Sequence, residues 1–178
     1  MKRGVPLHAL FVCTGNICRS PTAERLAAAY GARFQVPDFK ASSAGTRAMI
    51  GHPIQHDAAL VLQKLGGEAS NFAARQLTLR IASDADLVLT MTRAHRDTVL
   101  RLAPRQLPRT FTLIEAARLA LECNARNVAD LAALRPHLTP DEPSDIPDPL
   151  GQSEEFFAMV CSQIADLLPP ILELCRRD

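Results

Sequence analysis

Cys13 and Arg19 stand with five residues between them in the run Val12-Cys13-Thr14-Gly15-Asn16-Ile17-Cys18-Arg19-Ser20-Pro21, which follows an apolar segment and precedes a helical pattern. A strand that ends at Cys13 leaves the next backbone N–H groups free to curl round a dianion, and the following helix aims its positive end at the same place. The thiol then lies beneath the bound phosphorus. Amide dipoles and a helix terminus both favour thiolate over thiol, so Cys13 is expected to be a reactive nucleophile near neutral pH. Arg19 offers a planar fork for two phosphate oxygens. Gly15 and Asn16 tolerate the positive φ of a tight anion loop. Ser20 can donate its hydroxyl to the thiolate or cap the helix, and Pro21 suits the first helical position. A buried structural cysteine beside a helix cap is the competing reading, and the complete run disfavours it.

The nine residues from Cys13 to Pro21 resemble the signature of the low-molecular-weight protein tyrosine phosphatases, in the expected strand-loop-helix context near the N-terminus. The resemblance extends to Ser43 in Ser42-Ser43-Ala44-Gly45-Thr46 and to Ala74-Arg75-Gln76-Leu77. It implies a phosphocysteine mechanism in which Thr14, Gly15, Asn16, Ile17 and Cys18 line the phosphate site and Ser20 steadies the thiolate. It also implies a reversible Cys13–Cys18 disulfide as a cap on the nucleophile. The run Ile146-Pro147-Asp148-Pro149-Leu150 resembles the family's general-acid loop just before the last helix, which makes Asp148 the proton donor and later the base for water. Asp145 is the runner-up for that role.

Three positions depart from the family pattern. Phe72 stands where a histidine commonly joins a hydrogen-bond net with the loop asparagine, so Asn16 must be held another way, with Ser43 as the candidate. The pocket walls, commonly aromatic, are Met49 and Leu150 here, without ring stacking. Ile17 occupies a position that resembles a threonine in the related arginine phosphatases, and its apolar side chain favours a flat phenolic ester. The expected activity is therefore that of a cysteine-dependent phosphomonoesterase acting on protein phosphotyrosine. The alternatives are a protein-arginine phosphatase or arsenate reductase, or a catalytically idle phospho-binding module.

The elements that must position these groups follow from apolar periodicity. Strands are expected over 7–12, 39–44, 85–91 and about 110–113, and helices over 22–32, 54–65, 93–102, 114–122 and from Ser153 onward. The nearly continuous apolar third strand suits a parallel sheet covered on both faces. Alternation of strand and helix gives an α/β class: a four-stranded parallel sheet flanked by helices, a three-layer α/β/α phosphatase fold. Ligands of such sheets bind at the carboxyl ends of the strands, where the Cys13 loop falls. Pro169-Pro170 are expected to kink or end the last helix, with Arg176-Arg177 suiting its C-terminal end. The stretch 124–152, carrying Pro136, Pro140, Pro143, Pro147 and Pro149, reads as irregular, with an insertion at about 124–147.

Composition narrows the class further. The 178 residues, 47% hydrophobic and 22% charged, suit one domain over 1–178, and a net charge of +1 with scattered basic residues offers no field for nucleic acid. Neither Gly-x4-Gly-Lys-Ser/Thr nor Gly-x-Gly-x-x-Gly is present, which removes the main support for ATPase and dinucleotide readings. Met1-Lys2-Arg3 before a short apolar run lacks a signal-peptide cleavage site, and no other segment is expected to span a bilayer. Five cysteines argue against a secreted disulfide framework, and Cys123, Cys161 and Cys175 fall in helical patterns as small buried hydrophobes. His52 and His56 have Pro53 between them and no further ligand nearby, so no metal is expected. A cytoplasmic monomer is expected, acting on phosphorylated protein, with no cofactor, nucleic acid or membrane partner.

Overall fold

The computed structural model describes residues 7–176; Met1-Lys2-Arg3 and Arg177 lie outside the described residues. Four strands, β1 (Leu7–Cys13), β2 (Phe39–Gly45), β3 (Leu87–Thr90) and β4 (Thr110–Thr112), pair in the order β2-β1-β3-β4, every pair parallel. In β1, Leu7, Ala9, Phe11 and Cys13 face one apolar cluster while Leu10 and Val12 face the other, the period-2 alternation of a strand covered on both sides. The helices are α1 (Arg19–Arg33), α2 (His56–Lys64), α3 (Leu79–Ser83), α4 (Arg93–Leu102), α5 (Leu113–Glu122), α6 (Val128–Leu134) and α7 (Glu154–Cys175). Residues of α1, α2, α5, α6 and α7 build the cluster around Phe11, and Ala82 of α3 and Val99 of α4 build the cluster around Leu10. The expected three-layer α/β/α sheet is therefore present.

After β1 the chain crosses to β2 on one side and later to β3 on the other, so the carboxyl end of β1 is a topological switch point, where the sheet opens a crevice for a ligand. Cys13 is the last residue of β1 and is 2% exposed.

Three expectations need correction. The last helix runs through Pro169-Pro170 to Cys175. A proline inside a helix costs about 3 kcal/mol, whereas burying Ile171, Leu172 and Leu174 beyond it returns roughly 1.5–3 kcal/mol each, so packing carries the helix past the break. This helix is also long and apolar enough to cross a membrane by length and composition, contrary to the sequence expectation. Yet half of its apolar window is buried against α1, α2 and α5, as in a core helix. Finally, 124–152 is less irregular than expected: Asn127 caps α6 by accepting the Asp130 N–H, and Leu131 is fully buried.

Candidate active site

The loop from Thr14 to Cys18 joins β1 to α1 and is held from outside by its carbonyl oxygens. Those of Cys13, Thr14, Gly15 and Ile17 accept the N–H groups of Thr46, Arg47, Met49 and Gln55 at 2.8–2.9 Å. In a trans peptide the next N–H points opposite to the carbonyl. The same bonds therefore turn the N–H groups of Thr14, Gly15, Asn16 and Cys18 towards the inside of the loop. Gln76 fixes the supporting segment, accepting the Ala48 N–H and donating to the Thr46 carbonyl.

Asn16, fully buried at φ 58°, is the loop residue in the left-handed region; Gly15 is not, contrary to expectation. A Cβ on Gly15 would lie 3.6 Å from Ile17 and 3.8 Å from Met49, ordinary contact distances. Asn16 is held at both ends of its amide. Its Nδ2 donates to Ser20 Oγ and Ser43 Oγ at 2.9 Å, and its Oδ1 accepts the Arg75 backbone N–H at 2.9 Å. Ser43 donates in turn to Glu24 Oε1 at 3.3 Å, and Arg75 Nε donates to the Ser43 carbonyl. At Phe72, where a histidine could have joined this net, the ring lies under the Arg25 guanidinium 5.5 Å away.

The sequence leaves Ser20 a choice between capping α1 and serving the thiol. Cys18 is the N-cap, without a side-chain cap bond, and Ser20 Oγ lies 2.9 Å from Cys13 Sγ. Ser20 Oγ also accepts from Asn16, and when Cys13 is ionised its sulfur can only accept, so the serine hydroxyl then donates to it. Cys18 is buried, and burial together with the nearby Cys13 pushes its thiol well above the usual range, so it stays protonated. Cys13, Cys18, Cys123 and Cys161 are free thiols.

Arg19, 4% exposed, donates from Nη1 to the Ile146 carbonyl at 2.9 Å, and its Nη2 lies 3.6 Å from Asp148 Oδ2. These contacts bring the loop before α7 over the cysteine loop. Asp148 keeps 47% of its side chain exposed, open to a substrate, and accepts the Leu150 N–H. Asp145 is occupied elsewhere: it accepts the Arg93 backbone N–H at 2.8 Å at the start of α4. Arg118 of α5 grips the same loop through Glu142 and the Pro143 carbonyl, and Arg93 through the Pro140 carbonyl. Met49, Ile50 and Leu150 are exposed large hydrophobic residues.

His95 was missed as well. Its Nε2 lies 2.8 Å from Thr14 Oγ1, although α4 is some eighty positions away in sequence, and no local pattern could have signalled the pairing. Burial and the Arg19 charge push its pKa down to about 4, against the pull of Asp145 and Asp148, so the imidazole is neutral. Among the described residues no group of three His, Cys, Asp or Glu could hold a metal ion.

A serine-bonded thiol at the base of an amide-lined loop, with an arginine and a carboxylate across its mouth, is equipped for cysteine-based phosphoryl transfer. The chain belongs to the low molecular weight phosphotyrosine protein phosphatase family, whose model matches residues 8–118. It is 42% identical over 95 residues to the probable low molecular weight protein-tyrosine-phosphatase AmsI of Erwinia amylovora, a match covering 53% of this chain and 62% of that protein. The crystal structure of the T. tengcongensis low molecular weight protein tyrosine phosphatase superposes with a TM-score of 0.76 at 28% identity, covering 94% of this chain and 98% of that one. The YwlE arginine phosphatase of Geobacillus stearothermophilus gives 0.74 at 29%, covering 94% and 92%.

Proposed function

We propose that this protein hydrolyses phosphotyrosine in protein substrates through a phosphocysteine intermediate. The observation that carries the reading is the Cys13–Ser20 contact of 2.9 Å at the base of the loop, with Arg19 joining that loop to Asp148. Cys13 thiolate attacks phosphorus, the S–P bond forms and the bond from phosphorus to the tyrosine oxygen breaks. Asp148 gives its proton to that oxygen. The same carboxylate then takes a proton from water, which attacks phosphorus, releases phosphate and returns the thiolate. The inward N–H groups of Thr14, Gly15, Asn16 and Cys18 and the Arg19 fork stabilise charge on the equatorial oxygens.

Phosphotyrosine is favoured over phosphoarginine by the floor and walls of the site. Ile17 brings no hydroxyl to orient attack on a guanidinium phosphate, and Met49 and Leu150 form aliphatic walls on which a phenyl ring can rest. The arginine phosphatase reading is supported by the YwlE likeness. Arsenate reduction wants a relay of further thiols, and Cys161 is bonded to Thr22 rather than to the nucleophile. An idle phospho-binding module has no use for Asp148. We further read 1–178 as one phosphatase domain with an insertion at about 124–147. The protein acts as a cytoplasmic monomer without metal, cofactor, nucleic acid or membrane, and Cys18 is the disulfide partner of Cys13 under oxidation.

The test is kcat/KM on matched peptides carrying phosphotyrosine, phosphoserine or phosphoarginine, with Cys13→Ser as the blank. A strong phosphotyrosine preference is expected. A phosphoarginine preference moves the enzyme to the neighbouring class, and absence of Cys13-dependent turnover leaves the binding module.

A further inference from the structure

Among the described residues, one buried side-chain nitrogen or oxygen has no hydrogen-bond partner: His95 Nδ1. Buried polar atoms of this kind are rare, and each needs a reason. His95 is 7% exposed, its backbone N–H is taken by Thr92 Oγ1 at the start of α4, and its other ring nitrogen meets Thr14 Oγ1 at 2.8 Å. Thr14 directly follows the nucleophile, and Arg47 already holds its carbonyl.

A neutral imidazole carries one proton. An orphaned buried N–H is rarer than an under-satisfied acceptor, which puts the proton on Nε2 and leaves Nδ1 as a bare lone pair. His95 then donates to Thr14 Oγ1, and the Thr14 hydroxyl proton is not consumed by the bond. We propose that His95 is a positioning residue for phosphoryl transfer: its Nε2–H fixes the Thr14 side chain, which locks the first peptide of the phosphate loop and frees the Thr14 hydroxyl as a further donor to the phosphoryl group. The burial that orphans Nδ1 also keeps the ring neutral beside Arg19, where an imidazolium would be repelled. The inference rests on the phosphatase reading and adds to it a residue from α4, outside the cysteine and acid loops.

The experiment compares wild type with His95→Phe, His95→Gln, Thr14→Val and the His95→Phe/Thr14→Val double variant. Readouts are kcat and KM on an aryl phosphate, inhibition by vanadate, which mimics the five-coordinate phosphoryl group, inhibition by inorganic phosphate, and melting temperature. We expect His95→Phe to lower kcat roughly 10-fold, less than the loss from removing a direct oxyanion donor, with KM within about twofold. Vanadate should weaken by a similar factor while inorganic phosphate changes little. Gln, whose Nε2 can replace the imidazole donor, should recover part of the loss, and the double variant should be no worse than the poorer single one. The inference is overturned if His95→Phe leaves kcat unchanged, if Gln is no better than Phe, or if the two losses multiply. Should His95→Phe fail to fold, Thr14→Val and His95→Gln carry the same comparison. Wild type without Cys13-dependent turnover would instead sink the phosphatase reading, a result visible before any variant is made.

Discussion

Ser20 Oγ lies 2.9 Å from Cys13 Sγ and accepts from the Asn16 amide, and once Cys13 is a thiolate, which can only accept, the serine proton turns to sulfur. The contact matters most when sulfur carries charge, which is before attack and again as the phosphocysteine is hydrolysed and thiolate departs. A hydrogen bond to a charged group contributes about 1.5–3 kcal/mol. Ser20→Ala should therefore lower kcat by roughly 10- to 100-fold, chiefly in the second step. Rapid-quench kinetics should reveal a larger burst of released phenol and trapped phosphoenzyme. A fall in kcat without accumulation would place the bond's effect in the first step instead.

Much of this site was legible because its chemistry is local. Cys13 to Pro21 is one contiguous loop, and the apolar runs of β1 and β3 announce strands covered on both faces. What could not be read depends on partners brought from afar. Asn16 is satisfied by Ser43 and by the Arg75 backbone, and only the first was anticipated. Ser20 was ambiguous between cap and thiol partner because either role needs only a hydroxyl. His95 carries no motif, since its significance is the folding of α4 against Thr14. Proline inside α7 misled for a related reason: local propensity is a weak prior when three buried aliphatic residues follow.

Gly45 closes β2 against the back of the cysteine loop. A Cβ there would lie 2.4 Å from the Thr14 carbonyl oxygen and 3.1 Å from the Ala48 Cα, both backbone atoms that cannot swing aside. Its own N–H and carbonyl are tied to Arg75 and Leu77. Gly45→Ala should cost about 1–3 kcal/mol as overpacking and, by displacing the Thr14 carbonyl, disturb the adjacent inward N–H groups. Thermal denaturation and kcat/KM together check this. A destabilised variant with wild-type kcat/KM would mean that the strain is absorbed away from the loop.

Asp148 and Asp145 lie three residues apart and make separable predictions. General acid catalysis is typically worth about 10²–10⁴-fold. Asp148→Asn should therefore slow aryl phosphates with poor leaving groups by that order and those with good leaving groups far less, steepening a plot of rate against leaving-group acidity. Asp145→Asn removes the carboxylate that receives the Arg93 N–H and faces its guanidinium. It should loosen the loop and cost a modest factor independent of leaving group. Exchange of these two patterns would make Asp145 the acid.

Buried histidine also sets how stability depends on pH. His95 titrates at about 4 in the folded protein, held down by burial and by Arg19, and near 6.5 when unfolded. Between those values the unfolded chain binds more protons than the folded one, so stability rises with pH across the window and is lost as pH falls through it. The full shift corresponds to on the order of 3 kcal/mol. His8 of β1, also lowered by burial, acts in the same direction. The charged groups acting on His95 are Arg19 at the start of α1 and Asp145 and Asp148 on the acid loop. Urea unfolding from pH 7 down to pH 4 should therefore steepen the loss of stability in wild type relative to His95→Gln, with the residual slope in the variant belonging to His8 and to Glu68, whose pKa is held down by its hydrogen bonds to Ser70. Parallel curves for the two proteins would mean that His95 binds its proton equally in the folded and unfolded states, so that neither burial nor Arg19 holds its pKa down.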